Sequence, residues 1–248
     1  MLEINKRSAL EISERYYFGP IKNGLEEIIA QSGSIESLDH LTEVMQKATA
    51  PVEKLIGKRI RKGKITSADQ ARKTIAGNGF QGLVAYSLIK LQEEGVLSPN
   101  IAITLKPKHH SLVEKYATIK VGDDTQKPDI DLLIYNHPAP EKFPIIIYSI
   151  KTSLRERAGQ TYRWKLLMDI ASSQDCKTIK EKYTLSYTAT DNFKVGFITT
   201  NFYSEIMKPQ QQGMLRFFDF VYITKPRIEN ERIKGFSKVV GDLNKIYS

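Results

Sequence analysis

Two neighbouring apolar runs decide how this chain folds: Pro128-Asp-Ile-Asp-Leu-Leu-Ile-Tyr135 and Ile145-Ile-Ile-Tyr-Ser-Ile-Lys151. Both are rich in β-branched residues, which predicts one strand over Asp129–Tyr135 and a second over Ile145–Lys151. The segment between them, 136–144, contains three prolines and is predicted to be a loop. If the strands pair as a hairpin, Asp129 and Lys151 meet at one edge of the sheet.

An aspartate beside a lysine at a sheet edge is suited to metal-assisted hydrolysis of a phosphodiester. Asp129 would hold Mg²⁺, because this hard cation prefers carboxylate and phosphate oxygens. The metal would polarise the scissile phosphate and lower the pKa of a bound water. Lys151 would orient that water or offset the charge that develops on the phosphate. The alternative is structural: an aspartate and a solvated lysine that only mark the ends of their strands.

A helix is predicted directly after the second strand. Thr152 or Ser153 can cap it, and apolar residues then recur every four positions, at Leu154, Ala158, Tyr162, Leu166 and Ile170. Arg155 and Arg157 lie in its first turn, where a cation opposes the macrodipole at a cost of about 0.3–1 kcal/mol. They therefore indicate an anionic partner or guanine edges, and Glu156 could accept from cytosine N4. The alternatives are a solvated face for the arginines and a capping box with Ser153 for Glu156.

Taken together, Pro128-Asp129, then Ser149-Ile-Lys151, then Lys-x-x-x-Arg-Glu-Arg157 resemble the PD-(D/E)xK nuclease superfamily. Within it, the chain resembles type II restriction endonucleases that cut CCGG, CCNGG or CCWGG sites. The resemblance implies a restriction-endonuclease-like fold and Mg²⁺-dependent cleavage of double-stranded DNA. The site would be a short palindrome with a CC/GG core, with the CCGG type of the BsaWI group favoured and CCNGG or CCWGG second. A homodimer is implied, with higher oligomers left open.

The resemblance also assigns roles to individual residues. Asp129 would be a metal ligand and Lys151 the catalytic lysine. The bases would be read by three consecutive residues, Arg155, Glu156 and Arg157.

The chain departs from the superfamily pattern at its acids. Ser149 lies where the pattern has an acid, and CCGG-cutting relatives draw a replacement from the following helix, usually thirteen or fourteen residues after the lysine. Those positions are Trp164 and Lys165 here. The candidates for a second metal ligand are therefore Asp169, the next acid downstream, and Asp131, which is on the same strand face as Asp129.

The composition limits the kinds of protein that this chain can be. The 248 residues carry a net charge of +9, which favours a polyanionic partner such as DNA. The single cysteine, Cys176, excludes an internal disulfide and a cysteine-cluster metal site. No apolar run approaches the length of a membrane span, and charges occupy the place of a signal-peptide core, so we expect a cytoplasmic protein without a membrane partner.

The order of predicted elements gives the domain organisation. Residues 1–75 are predicted to form an N-terminal helical region, and residues 76–248 the catalytic domain. The basic run Lys54–Lys64 could follow DNA phosphates or form a solvated helix end. A helix over Phe80–Glu94, preceded by a break at the glycines of 77–79, places Gln81 where related nucleases often carry a glutamate. The later alternation of strands and helices predicts an α/β fold with a central mixed sheet flanked by helices.

Two other functions remain open at this point. A structure-selective or repair nuclease of the same fold would cut without sequence preference. A catalytically inactive, sequence-specific DNA-binding module is suggested because Gln81, Ser149, Trp164 and Lys165 all replace expected acids.

Overall fold

The computed structural model describes residues 1–153, 158–187, 192–200, 206–228 and 230–248. Its N-terminal part is helical, as the sequence predicts. The helices are α1 (Glu3–Ser13), α2 (Phe18–Ser32), a short 3-10 helix (Glu36–His40), α3 (Leu41–Arg61) and α4 (Ala68–Glu93).

The rest of the described chain mixes strands and helices. In order these are β1 (Ile101–Leu105), α5 (Ser111–Tyr116), β2 (Ile119–Val121), β3 (Asp124–Gln126), β4 (Leu132–Asn136), β5 (Ile145–Lys151), α6 (Ala158–Ser172), α7 (Lys177–Lys182), β6 (Leu185–Ser186), β7 (Phe193–Thr199), α8 (Pro209–Leu215), β8 (Phe220–Ile223), β9 (Lys234–Gly235), a 3-10 turn (Phe236–Lys238) and α9 (Val239–Tyr247). Within the described ranges, none of the helices combines the length and the apolar character needed to span a bilayer.

The central sheet is mixed. Among the described residues it has six strands in the order β1-β4-β5-β7-β8-β9. β1, β4 and β5 are antiparallel neighbours, whereas β5, β7, β8 and β9 are parallel. A smaller antiparallel sheet, β3-β2-β6, lies apart from it. The predicted fold class, an α/β protein with a helix-flanked mixed sheet and an N-terminal helical region, is therefore confirmed.

Alternation along the strands buries a different set of side chains on each face of the sheet. Leu132 and Ile134 pack with the N-terminal helices and α9, whereas Leu133 and Tyr135 pack with α5, α6 and α8. Every residue of β4 and β5 is buried, which explains their nearly continuous apolar sequence. The end of the hairpin that carries the predicted site therefore lies between two layers of helices.

Helix α4 corrects one expectation. The sequence predicts a break at residues 77–79, but the helix runs without interruption from Ala68 to Glu93. Gly79 serves close packing, because a Cβ there would lie 3.0 Å from Ile21 Cδ1 on α2, whereas no atom lies within 4 Å of a Cβ built at Gly77. The boundary expected between residues 75 and 76 lies inside this helix, and the division into two domains stays a prediction.

Candidate active site

The antiparallel pairing of β4 with β5 builds the site. Leu132 lies opposite Tyr148, and the N–H of Asp131 donates to the Tyr148 carbonyl at 3.0 Å. The residues just before β4 therefore lie beside the last residues of β5. The regular strand begins at Leu132, three residues later than the sequence predicts, so both aspartates lie in the segment that leads into it.

Lys151 is the centre of the cluster. It is the last residue of β5 and only 5% exposed. Its Nζ donates to Asp129 Oδ2 at 2.7 Å and to Asp131 Oδ2 at 2.8 Å. The structure thus brings Asp129 and Lys151 together at the sheet edge and places Asp131 with them.

Asp131 is the more firmly held aspartate. It is buried, and besides Lys151 its carboxylate accepts from the Ile150 N–H at 2.7 Å and from Gln81 Nε2 at 2.6 Å. Burial raises the pKa of Asp131, because the charged form loses water, while Lys151 and the Ile150 N–H act in the opposite direction. Donors from α4 and β5 therefore fix this carboxylate in one orientation.

Asp129 has a different environment. Its side chain is 48% exposed, and Lys151 is its ion-pair partner. It lines an open, polar depression of about 880 Å³ between the segment 126–129 and one face of α6. The α6 residues that line it are Gln160, Arg163, Trp164 and Leu167. A substrate entering this depression would meet Asp129 first, with Lys151 and Asp131 behind it.

Gln81 belongs to the same cluster through α4. Its Nε2 binds Asp131, but its Oε1 is buried and has no hydrogen-bond partner in the described part of the chain. No group of three or more histidine, cysteine, aspartate or glutamate side chains that could hold a metal occurs among the described residues. The available oxygens are the carboxylates of Asp129 and Asp131 and the unpartnered amide oxygen of Gln81, a hard donor set that suits Mg²⁺.

The other positions singled out by the sequence have partners outside this cluster of oxygens. Ser149 is buried and accepts a hydrogen bond from Thr161 Oγ1 at 3.1 Å, so it ties β5 to α6. Lys165 donates to Asp169. Asp169 comes eleven residues after Ala158, the first residue of α6, and is therefore about 16 Å from it along the helix axis. Trp164 packs edge-on against Phe193.

The structure does not describe the residues predicted to read the bases. Arg155, Glu156 and Arg157 lie outside the described residues. Their role stays a prediction.

Comparison with known proteins gives the cluster its context. Residues 109–246 match the family described as BsaWI restriction endonuclease type 2, a span that covers more than half of the chain and includes Asp129, Asp131 and Lys151. The chain belongs to this family. As a BsaWI-family protein it is a type II restriction endonuclease, that is, a site-specific nuclease.

A curated relative covers nearly the whole chain. MjaVIP from Methanocaldococcus jannaschii, which is named provisionally as a type II restriction enzyme, is 24% identical over 234 residues. The aligned region spans 86% of the BsaWI-family chain and 96% of MjaVIP. The similarity therefore extends beyond residues 109–246 into the N-terminal helices.

Proposed function

We propose that this enzyme cleaves both strands of DNA, with Mg²⁺, at a short palindrome that has a CC/GG core. CCGG is the favoured core, and CCNGG or CCWGG is the second choice. The observation that carries the proposal is the contact of buried Lys151 with both Asp129 and Asp131 at a hairpin edge, inside the span that matches the BsaWI family.

The metal would be held by oxygens at this edge. Asp129 and Asp131 would supply carboxylates, and the Gln81 Oε1, which is buried without a partner in the described chain, would supply an amide oxygen. When bound, Mg²⁺ supplies positive charge that polarises a phosphate and lowers the pKa of a water. Asp169 is a weaker candidate than Asp131, because Asp131 shares the Lys151 ammonium with Asp129, whereas the Asp169 carboxylate is paired with Lys165 on α6.

The side chains at the edge would divide the remaining work. The Lys151 ammonium, oriented by two carboxylates, would offset the negative charge that develops on the phosphate or position the attacking water. Asp131 is held by Gln81 and Ile150 and would keep the lysine in place. Asp129 faces the open depression and would lie nearest to the substrate.

Specificity would come from Arg155, Glu156 and Arg157. These residues lie between Lys151 and the first residue of α6, Ala158, in the sequence, so base reading and strand cleavage would depend on adjoining segments. Arginine to guanine and glutamate to cytosine are the pairings that suit adjacent C·G pairs. A palindrome presents the same half-site twice, and a homodimer would match this symmetry with one subunit on each half-site.

Digestion of a sequenced plasmid tests the proposal. With Mg²⁺ we expect discrete fragments whose ends map to one palindrome with a CC/GG core. EDTA and the variant Lys151→Ala should each leave the plasmid intact.

The other outcomes identify the alternatives. A continuous smear of fragments, without ends at one sequence, would favour a structure-selective or repair nuclease. Intact DNA together with a sequence-specific gel shift would indicate a DNA-binding module without catalysis. Intact DNA without a shift would refute the proposed function altogether.

A further inference from the structure

A basic surface lies on the N-terminal side of the protein, beside the end of β1. A depression of about 320 Å³ separates α1 from the end of β1. Three of the side chains that line it are cationic, namely Arg7, Arg15 and Lys106. One carboxylate, that of Glu11, also lines it and is paired with Arg7 at 3.1 Å.

The other two cations meet at a neutral residue. Lys106 Nζ donates to Asn78 Oδ1 at 2.9 Å, and an Arg15 guanidinium nitrogen donates to the Asn78 backbone carbonyl at 3.1 Å. Within the described part of the chain, neither Arg15 nor Lys106 has a carboxylate partner within ion-pair distance. Both positive charges are therefore held at Asn78, and the Glu11 carboxylate that lines the same depression is paired with Arg7.

Backbone and helix geometry tie this pair to the active site. The Lys106 N–H donates to the Asp131 carbonyl at 2.9 Å, and this contact accompanies a left-handed conformation at Lys106, with φ of 49°. Asn78 lies three residues before Gln81 on α4, which is about 4.5 Å along the axis. Gln81 in turn donates to Asp131. The cationic pair is thus anchored to the same aspartate that contacts Lys151.

We propose that Arg15 and Lys106, held by Asn78, form a subsite for a DNA backbone phosphate one or two nucleotides from the scissile bond. The inference rests on the proposed function, because it takes DNA as the substrate at the Asp131 edge. Asn78 and Gln81 are about 4.5 Å apart along the axis of α4, and successive phosphates of one DNA strand advance by about 3.4 Å along the duplex axis, so these two residues could serve neighbouring phosphates. The N-terminal helix α1 then belongs to the DNA-binding surface.

The salt dependence of DNA binding measures this contact. Wild type and Lys106→Gln are titrated onto a labelled duplex in EDTA, with fluorescence anisotropy as the readout; the duplex carries the site mapped by plasmid digestion or, if none is found, a CCGG core. Loss of one phosphate contact lowers the slope of log affinity against log salt by about 0.9. Between about 50 and 200 mM salt, wild-type affinity should therefore fall about 3.5-fold more than that of the variant.

A matched control is available at the other end of the sheet. Lys245→Gln removes the same charge from α9, whose Tyr247 hydroxyl donates to the carbonyls of Ile134 and Pro144, at the end of the hairpin remote from Lys151. It should leave the slope unchanged. Arg15→Lys keeps the charge and should retain most of the slope. The double variant Arg15→Gln, Lys106→Gln should bind DNA at least as weakly as Lys106→Gln.

Chemical neutralisation of single phosphates locates the contact. In a series of duplexes, each with one uncharged methylphosphonate, one position within two nucleotides of the cleaved bond should weaken wild-type binding but not binding by Lys106→Gln. An unchanged salt slope in Lys106→Gln, or a wild type that does not bind DNA, would overturn the subsite. Discrete plasmid cleavage with an unchanged slope refutes the subsite alone, and a lowered slope without cleavage refutes only the proposed catalysis.

Discussion

Replacing Lys151 by methionine should destabilise the protein strongly, in a way that depends on pH. Lys151 is buried and contacts two carboxylates, of which Asp131 has a side chain only 8% exposed. Methionine keeps the volume of the aliphatic chain but removes the charge. Breaking a buried ion pair on one side costs about 3–5 kcal/mol, because the remaining charge is left without compensation. The other carboxylate, Asp129, is half exposed and adds little, since water solvates it.

The pH dependence follows from the remaining aspartate. Burial already raises the pKa of Asp131, and Lys151 opposes that shift, so the variant should raise the pKa further. A carboxyl group with a higher pKa in the folded state binds its proton more tightly there. The destabilisation by the Asp131 carboxyl group is complete at pH values above its folded-state pKa. It disappears as the pH falls toward the pKa of the unfolded state, about 3.9. The variant should therefore recover stability relative to wild type on acidification.

Lys165→Met is the matched control. Lys165 is also largely buried, but its partner Asp169 has a side chain 47% exposed. Removing Lys165 leaves a carboxylate that water can solvate, so we expect a loss near 1 kcal/mol with little dependence on pH.

Urea unfolding in EDTA at pH 7 and pH 5 distinguishes the two variants. The expected result is a difference of about 3–5 kcal/mol for Lys151→Met at pH 7, a clearly smaller difference at pH 5, and a small, constant difference for Lys165→Met. Equal losses for the two lysines, or a Lys151→Met loss that does not change with pH, would mean that Asp131 is not an uncompensated buried charge. The assignment of the central ion pair would then be wrong.

Three further predictions follow from the site and its support. Asp131→Asn should keep its fold, because the amide oxygen can still accept from the β5 backbone and the amide nitrogen can donate to Gln81 Oε1 once the Gln81 amide turns over; its cleavage rate should fall by more than the roughly 10–100-fold typical of changes behind the metal ligands, with circular dichroism as the folding control. Gln81→Glu adds a third carboxylate, so the metal-free protein should melt at a lower temperature and Mg²⁺ should raise its melting temperature more than that of wild type; an equal Mg²⁺ effect would remove Gln81 from the metal site. Gly77→Ala should stabilise α4 by about 1 kcal/mol, since no atom lies within 4 Å of an added Cβ, whereas Gly79→Ala should destabilise the protein by crowding Ile21; thermal melts that shift in the same direction would contradict this packing.

The sequence was most informative where local pattern and tertiary environment agree. Ile145–Lys151 is an apolar run that fills a central strand, and it is a strand with the predicted bounds. The proximity of Asp129 to Lys151 followed from pairing two such runs as a hairpin. The helix α4 shows the opposite case. Its glycines weaken local helix propensity, but the helix continues through them, and contact with α2 requires the small size of Gly79.

The sequence could not rank the two aspartates. They are two residues apart and share a strand face, so pattern alone treats them alike. The difference comes from partners distant in sequence: Gln81 lies 50 residues before Asp131, and its donor fixes one carboxylate oxygen. Sequence reasoning placed Gln81 near the site only through a family resemblance, and the buried, unpartnered amide oxygen becomes visible only when α4 is packed on the hairpin.

The arrangement accounts for the missing acid at Ser149. Asp131 receives donors from Gln81 of α4 and from Ile150 and Lys151 of β5, and its carbonyl accepts from the backbone of Lys106 after β1. The carboxylate is therefore oriented by donors from α4 and β5, although burial still raises its pKa. In the proposed metal site, both carboxylates would come from the segment that leads into β4, which would leave the Ser149 position of β5 for the contact that ties the strand to α6.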